Sequence, residues 1–192
     1  MSTTFTEIVL EGRFIMVKGF MLGFLGCYKP DGKYFFHRKE NIRRETFGEF
    51  LKDLFELDNY VHFCIEDDLL EPFKKALPLY TKATGYEIKS ERPIKGAEFS
   101  FAVEVYNRDL AEEFKKMIEH LPEGVTLKNY VPSEEVNDDA KGFEAYAPLH
   151  EYIFRAKGIL SGDFEGIMKL YLDIKRGDLG DFVILSQVKL HF

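Results

Sequence analysis

The feature that most constrains this chain is a hydrophobic period that switches from two residues to about 3.6 and back, more than once. Val61, Phe63 and Ile65 alternate with Tyr60, His62 and Cys64, the pattern of a strand with one buried face. Glu66, Asp67 and Asp68 follow, and then Leu69, Phe73, Ala76, Leu77 and Tyr80 recur at helical spacing. Asp68 and Glu71 fit a capping pair, and Pro72 suits the first turn of that helix. Gly85 ends the helix, alternation returns over residues 86–90, and residues 93–96 read as a turn. Phe99, Phe101, Val103 and Val105 then share one face of a strand whose other face carries Glu98, Ser100, Ala102 and Glu104. Leu110, Phe114, Met117 and Ile118 stand in helical register, Pro122 to Gly124 break the run, and residues 125–131 close the set.

Strand, helix, strand, strand, helix, strand is the split βαβ order, so the expected fold class is α+β and ferredoxin-like (βαββαβ). Residues 68–77 and 109–118 agree at six of ten positions, each run following a strand, which suggests a pseudo-repeat. The ends of the chain also resemble one another. Residues 7–13 lie beside 151–157, each before a helical segment, and each end closes with a strand, at 33–37 after the turn at Pro30 and at 182–192. The expectation is two ferredoxin-like units with antiparallel sheets and helices on one face. One unit is discontinuous, formed by residues 1–57 and 146–192. The other, 58–132, is inserted into it, and residues 133–145 form an acidic linker. A connecting helix is expected where Thr46 and Glu49 form a capping box ahead of the stripe Phe47, Phe50, Leu51, Leu54 and Phe55.

The charge balance and the junctions between elements exclude several function classes. The net charge of −7 opposes a protein that tracks phosphates, and the basic stretch at residues 37–44 reads as a solvated loop. RNA-binding proteins of this fold stack bases on aromatic rings of the central strands. Here those positions hold His62, Cys64, Glu98, Ser100, Ala102 and Glu104, so no nucleic acid partner is expected. The strand-to-helix junctions lack the glycines that let a backbone close on a phosphate, which opposes a nucleotide site and an amino-acid-binding module of the ACT type. The apolar run at residues 14–27 is interrupted by Lys18, follows Glu7 and Glu11, and is too short to span a bilayer. It reads as a core helix, with Gly19 and Gly23 allowing close helix packing, and no membrane partner is expected. Cys27 and Cys64 form no paired motif and read as reduced thiols of a cytoplasmic protein.

Metal ligation needs a second ligand pair that His62 and Cys64 lack, and Asn137 to Asp139 lack the remainder of a calcium loop, so no metal and no cofactor are expected. Ser161 has no nucleophile-elbow context and reads as a helix cap. What remains is the sheet face turned away from the helices. Its candidate ligand-binding residues are Glu11, Arg13, His62, Glu98, Ser100, Glu104, Arg155 and Lys157. The strand alternation puts Glu11 and Arg13 next to Arg155 and Lys157 on neighbouring central strands. The expected function is a non-enzymatic small-ligand-binding or protein-interaction module of the cytoplasm. The alternative is an enzyme with a polar cleft between sheet faces. The expected partners are a small molecule and a second copy of the chain, as a homodimer.

Overall fold

A computed structural model of the 192-residue chain describes residues 3–28, 33–38, 41–42, 60–84, 87–137 and 152–192. The helix expected over residues 46–55, residues 39, 40, 43 and 44 of the basic stretch, the side chain of Cys27 and residues 138–145 lie outside those described; the rest of the basic stretch, expected as a loop, is paired strand at 37–38 and 41–42.

The elements run in the order β1 (Phe5–Glu11), α1 (Phe14–Tyr28), β2 (Tyr34–Arg38), β3 (Asn41–Ile42), β4 (Tyr60–Glu66), α2 (Leu70–Thr84) and β5 (Ile88–Ile94). They continue with β6 (Gly96–Val105), α3 (Arg108–Glu119), β7 (Val125–Val136), β8 (Tyr152–Gly162), α4 (Phe164–Arg176), β9 (Val183–Leu185) and β10 (Lys189–His191). The first sheet has the order β3-β2-β4-β1-β5. In the second, β6 pairs with β8 on one side and β9 on the other, and β7 lies beyond β8. Both have the ferredoxin-like order, with the first and third strands central and antiparallel.

The chain divides at Lys95 into two units, residues 1–95 with 190–192, and residues 96–189. The units therefore follow one another, whereas the sequence pattern led to a unit 58–132 nested inside a split one. The strand–helix pairs were placed correctly; their partners were not. β4 bonds to β1 along its whole length, and β6 bonds to β8, pairings that a period-two pattern does not specify. The turn expected over 93–96 is instead the passage between units. β5 continues through Pro93 to Ile94, which is permissible because β5 is an edge strand whose proline owes no second neighbour an N–H. The linker expected from residue 133 is strand as far as Val136, and the single terminal strand expected over 182–192 is broken at Ser186. The matching segments 68–77 and 109–118 fall on the second helix of one unit and the first helix of the other. Their likeness reflects the shared demands of an amphipathic helix entered from a strand.

Each core follows from the alternation. Ile8 and Leu10 of β1 and Val61, Phe63 and Ile65 of β4 pack under Val17, Phe20, Met21, Phe24 and Leu25 of α1 and Phe73 and Leu77 of α2. Phe73 is the junction, with ring centroids 5.6 Å from Phe20, 5.7 Å from Phe24 and 5.4 Å from Phe63. In the second unit Phe114 of α3 sits 5.5 Å from Phe101 and 5.9 Å from Phe154. Phe99 meets Tyr171 of α4 edge-on at 5.2 Å. The Asn107 carboxamide oxygen accepts from the Asp109 N–H and caps α3; Asp163 accepts from the Gly166 N–H and caps α4. The cap expected from Ser161 therefore belongs to Asp163, and Ser161 lies inside β8. Among the described residues, nothing stands within 4 Å of where a Cβ would be at Gly19 or Gly23, so the close helix packing expected there is not seen among them. Among the described residues no helix is long and apolar enough to cross a membrane.

Phe101 is 3% exposed. Its replacement by Ala should cost roughly 3–5 kcal/mol in urea unfolding followed by circular dichroism. A loss under about 1 kcal/mol would contradict its place in the core.

Candidate functional site

The helix-free faces of the two sheets differ in character. In the first, Phe5, Glu7, Val9, His62 and Cys64 point away from the helices, yet Phe5, Glu7 and Cys64 are all buried. Register sets Glu7 opposite Cys64 on β4 and opposite Arg92 on β5. A buried carboxylate needs a cation and hydrogen bonds. Arg92 supplies both, its Nη2 donating to Glu7 Oε1 at 2.7 Å, with the Phe192 ring stacked 3.7 Å from the guanidinium carbon. His62 Nδ1 lies 3.8 Å from the other Glu7 oxygen. Burial, reinforced by the Glu7 charge, pushes the Cys64 thiol well up, so it is held protonated and unreactive. It is unbonded to any other cysteine. Glu11 pairs with Lys89 at 2.9 Å, and Arg13 stands exposed ahead of α1, where its carbonyl accepts from the Met16 and Val17 N–H groups.

The second sheet keeps its helix-free face open. Glu98, Ser100, Ala102 and Glu104 of β6 stand opposite Ser161, Ile159, Lys157 and Arg155 of β8. The neighbours once expected for Arg155, Arg13 and Glu11, belong to the other unit. Its guanidinium instead donates to Glu104 at 2.6 Å and lies 3.5 Å from Glu135, a cross-strand pairing of the ordinary kind. The Tyr106 hydroxyl also donates to Glu104, which raises the phenol's pKa. Glu98 lies 3.9 Å from Lys189. These carboxylates therefore serve the sheet surface.

Ser100 and Lys157 are arranged differently. They share a groove of about 450 Å³ with Phe101, Ala102, Asn129, Gly158, Ile159, Ile184, Leu185 and Ser186. The groove exists for two local reasons. β7 is irregular between Lys128 and Val131, where Asn129 adopts a φ of 52°, a conformation asparagine tolerates better than most residues. On the far side the strand β9 ends after Leu185, and Ser186 takes over: its N–H donates to the Ser100 carbonyl at 2.9 Å, and its Oγ accepts from the Ser100 N–H at 2.8 Å. Among the described residues, no hydrogen bond or ion pair engages the Lys157 ammonium, the Ser100 hydroxyl or the Asn129 carboxamide. Asn129, Ile159, Ile184 and Ser186 were missed by sequence reasoning. The available signal was an asparagine inside a strand, a residue depleted there unless the backbone departs from it.

Among the described residues, no three His, Cys, Asp or Glu side chains are grouped so as to hold a metal. No family model matches the chain, and no curated protein matches it in sequence. Solved structures that resemble it include an unknown protein from Galdieria sulphuraria, with 13% identity, 99% of each chain covered and a TM-score of 0.33. A chain described as a candidate glycine cleavage system transcriptional repressor has 10% identity, covers 100% of this chain and 99% of its own, and scores 0.27. Thermus thermophilus Cse3 bound to an RNA has 9% identity, with 97% and 100% covered, and also scores 0.27. Likeness at this level carries no information about a site.

Two outcomes follow from the buried face. In the native protein Cys64 should resist iodoacetamide and become modified only on denaturation, as read by peptide mapping. Arg92→Ala should cost about 1–3 kcal/mol by stripping the Glu7 carboxylate of its guanidinium, and adding Glu7→Gln should recover part of that loss in a double-mutant cycle.

Proposed function

We propose that this chain is a non-enzymatic small-ligand-binding protein of the cytoplasm, with its ligand site in the groove on the open face of the second sheet. One observation carries the reading. Three polar side chains without protein partners among the described residues, Ser100, Asn129 and Lys157, converge on a concavity of about 450 Å³ whose other walls include Ala102, Ile159, Ile184 and Leu185. A few directed polar groups on an apolar surface of this volume are what small-molecule sites use for orientation and affinity. The lining holds no carboxylate, imidazole or thiol, so its chemistry suits holding a ligand better than moving a proton.

The groove can be filled from within. Ala102 is exposed at its centre, opposite Lys157 on β8 and Ile184 on β9. In a fragment screen by ligand-observed NMR, compounds that bind the wild-type chain should lose binding to Ala102→Trp, whose circular dichroism spectrum should be unchanged. Compounds that bind both proteins equally would place the site elsewhere. Ligand-independent association of the wild type that Ala102→Trp abolishes would instead identify the face as an interface between two copies.

A further inference from the structure

We infer that the groove selects a small carboxylate monoanion with an apolar chain, an inference that rests on the ligand-binding reading above. The argument lies in how the lining residues are distributed across the strands. Strand order places Asn129 on β7, Lys157 and Ile159 on β8, Ser100 and Ala102 on β6, and Ile184 and Leu185 at β9. Polarity therefore falls across the sheet. The charge and the carboxamide stand at one side, the Ser100 hydroxyl is central, and the far side carries the exposed Ile184, where the Ser186 hydroxyl is already bonded to the Ser100 N–H and the Gln187 carbonyl. A ligand that matches this gradient has a polar head and an apolar tail, lying across the strands.

The sign of the head follows from charge. Lys157 is the sole charged side chain among the ten that line the groove. The nearby acids of the same face are committed, Glu104 to Arg155 and Glu98 to Lys189. A ligand cation would meet an ammonium and find no carboxylate in the lining. The same deficit opposes a free amino acid, whose own ammonium would be desolvated without a partner. A single lysine matches a single negative charge. Phosphate dianions are ordinarily met by several cations, an Arg fork or a helix N-terminus, and the groove offers none of these. A carboxylate needs one cation and one or two donors, which Lys157, Asn129 and Ser100 provide. The tail crosses Ala102 and covers Ile184, which is 78% exposed. Burying these is the apolar part of the affinity.

The probe is octanoate, titrated below its micelle-forming concentration into the full chain and followed by NMR, with octylamine and inorganic phosphate as comparisons. Saturable binding of octanoate alone is expected. Lys157→Met, which keeps the stem and removes the charge, should weaken it about tenfold, the loss of one charge-assisted hydrogen bond. Lys157→Arg should retain it, and Ala102→Trp should abolish it. The carboxylate inference is overturned if octanoate shows no saturable binding, if octylamine or phosphate binds as tightly, or if Lys157→Met leaves the affinity unchanged. Any ligand that Ala102→Trp still displaces in those cases leaves the groove as the site and only the carboxylate assignment fails. Octanoate bound equally by wild type and Ala102→Trp overturns both.

Discussion

Phe73 and Phe114 are where helix meets sheet in the two units, and each is fully buried among rings from several elements. Phe73 touches α1 through Phe20 and Phe24 and the sheet through Phe63, so one ring joins both helices of the first unit to its sheet. Rings of this size bury large apolar areas and interlock at tilted or edge-on angles, which fixes how the helices lie. Once the helices occupy one face, the period of two sends every other strand residue to the opposite face. The chemistry of the protein is whatever that face carries.

The two units treat that face in opposite ways. In the first, Glu7 and Cys64 are removed from water. The carboxylate is stable there because Arg92 holds it from the neighbouring strand, and the thiol is inert because burial disfavours its charged form. In the second, the charges pair with one another at the rim and the strip between them stays open. A buried face of matched charges contributes structure; the open strip instead carries exposed aliphatics and an ammonium that pairs with no carboxylate among the described residues. That difference sets the second sheet apart from the first, although both share one topology.

Backbone irregularity, rather than a conspicuous motif, shapes the groove. The irregular step in β7 at Asn129 and the early end of β9 each interrupt an otherwise regular sheet. The Ser186 side chain then replaces a lost ladder bond at Ser100, so the edge stays closed where the strand does not. Departures of this kind recur where strands must re-aim side chains.

The alternation of Phe99, Phe101, Val103 and Val105, and the helical spacing of Leu69, Phe73 and Leu77, were enough to establish strand, helix, buried face and ferredoxin-like class, because those periods are local and each repeats within a few residues. The same logic placed Ser100 and Lys157 on the face away from the helices. The order of the units was not legible. Whether β4 joins β1 or β6 joins β8 is settled by register and side-chain fit between strands distant in the chain, and a period of two is satisfied by any partner. Nor was it legible that Arg155 would be taken by Glu104 while Lys157, two residues on, would meet no ion-pair partner among the described residues. Those fates depend on which strand lies alongside, so only the tertiary structure separated the two side chains.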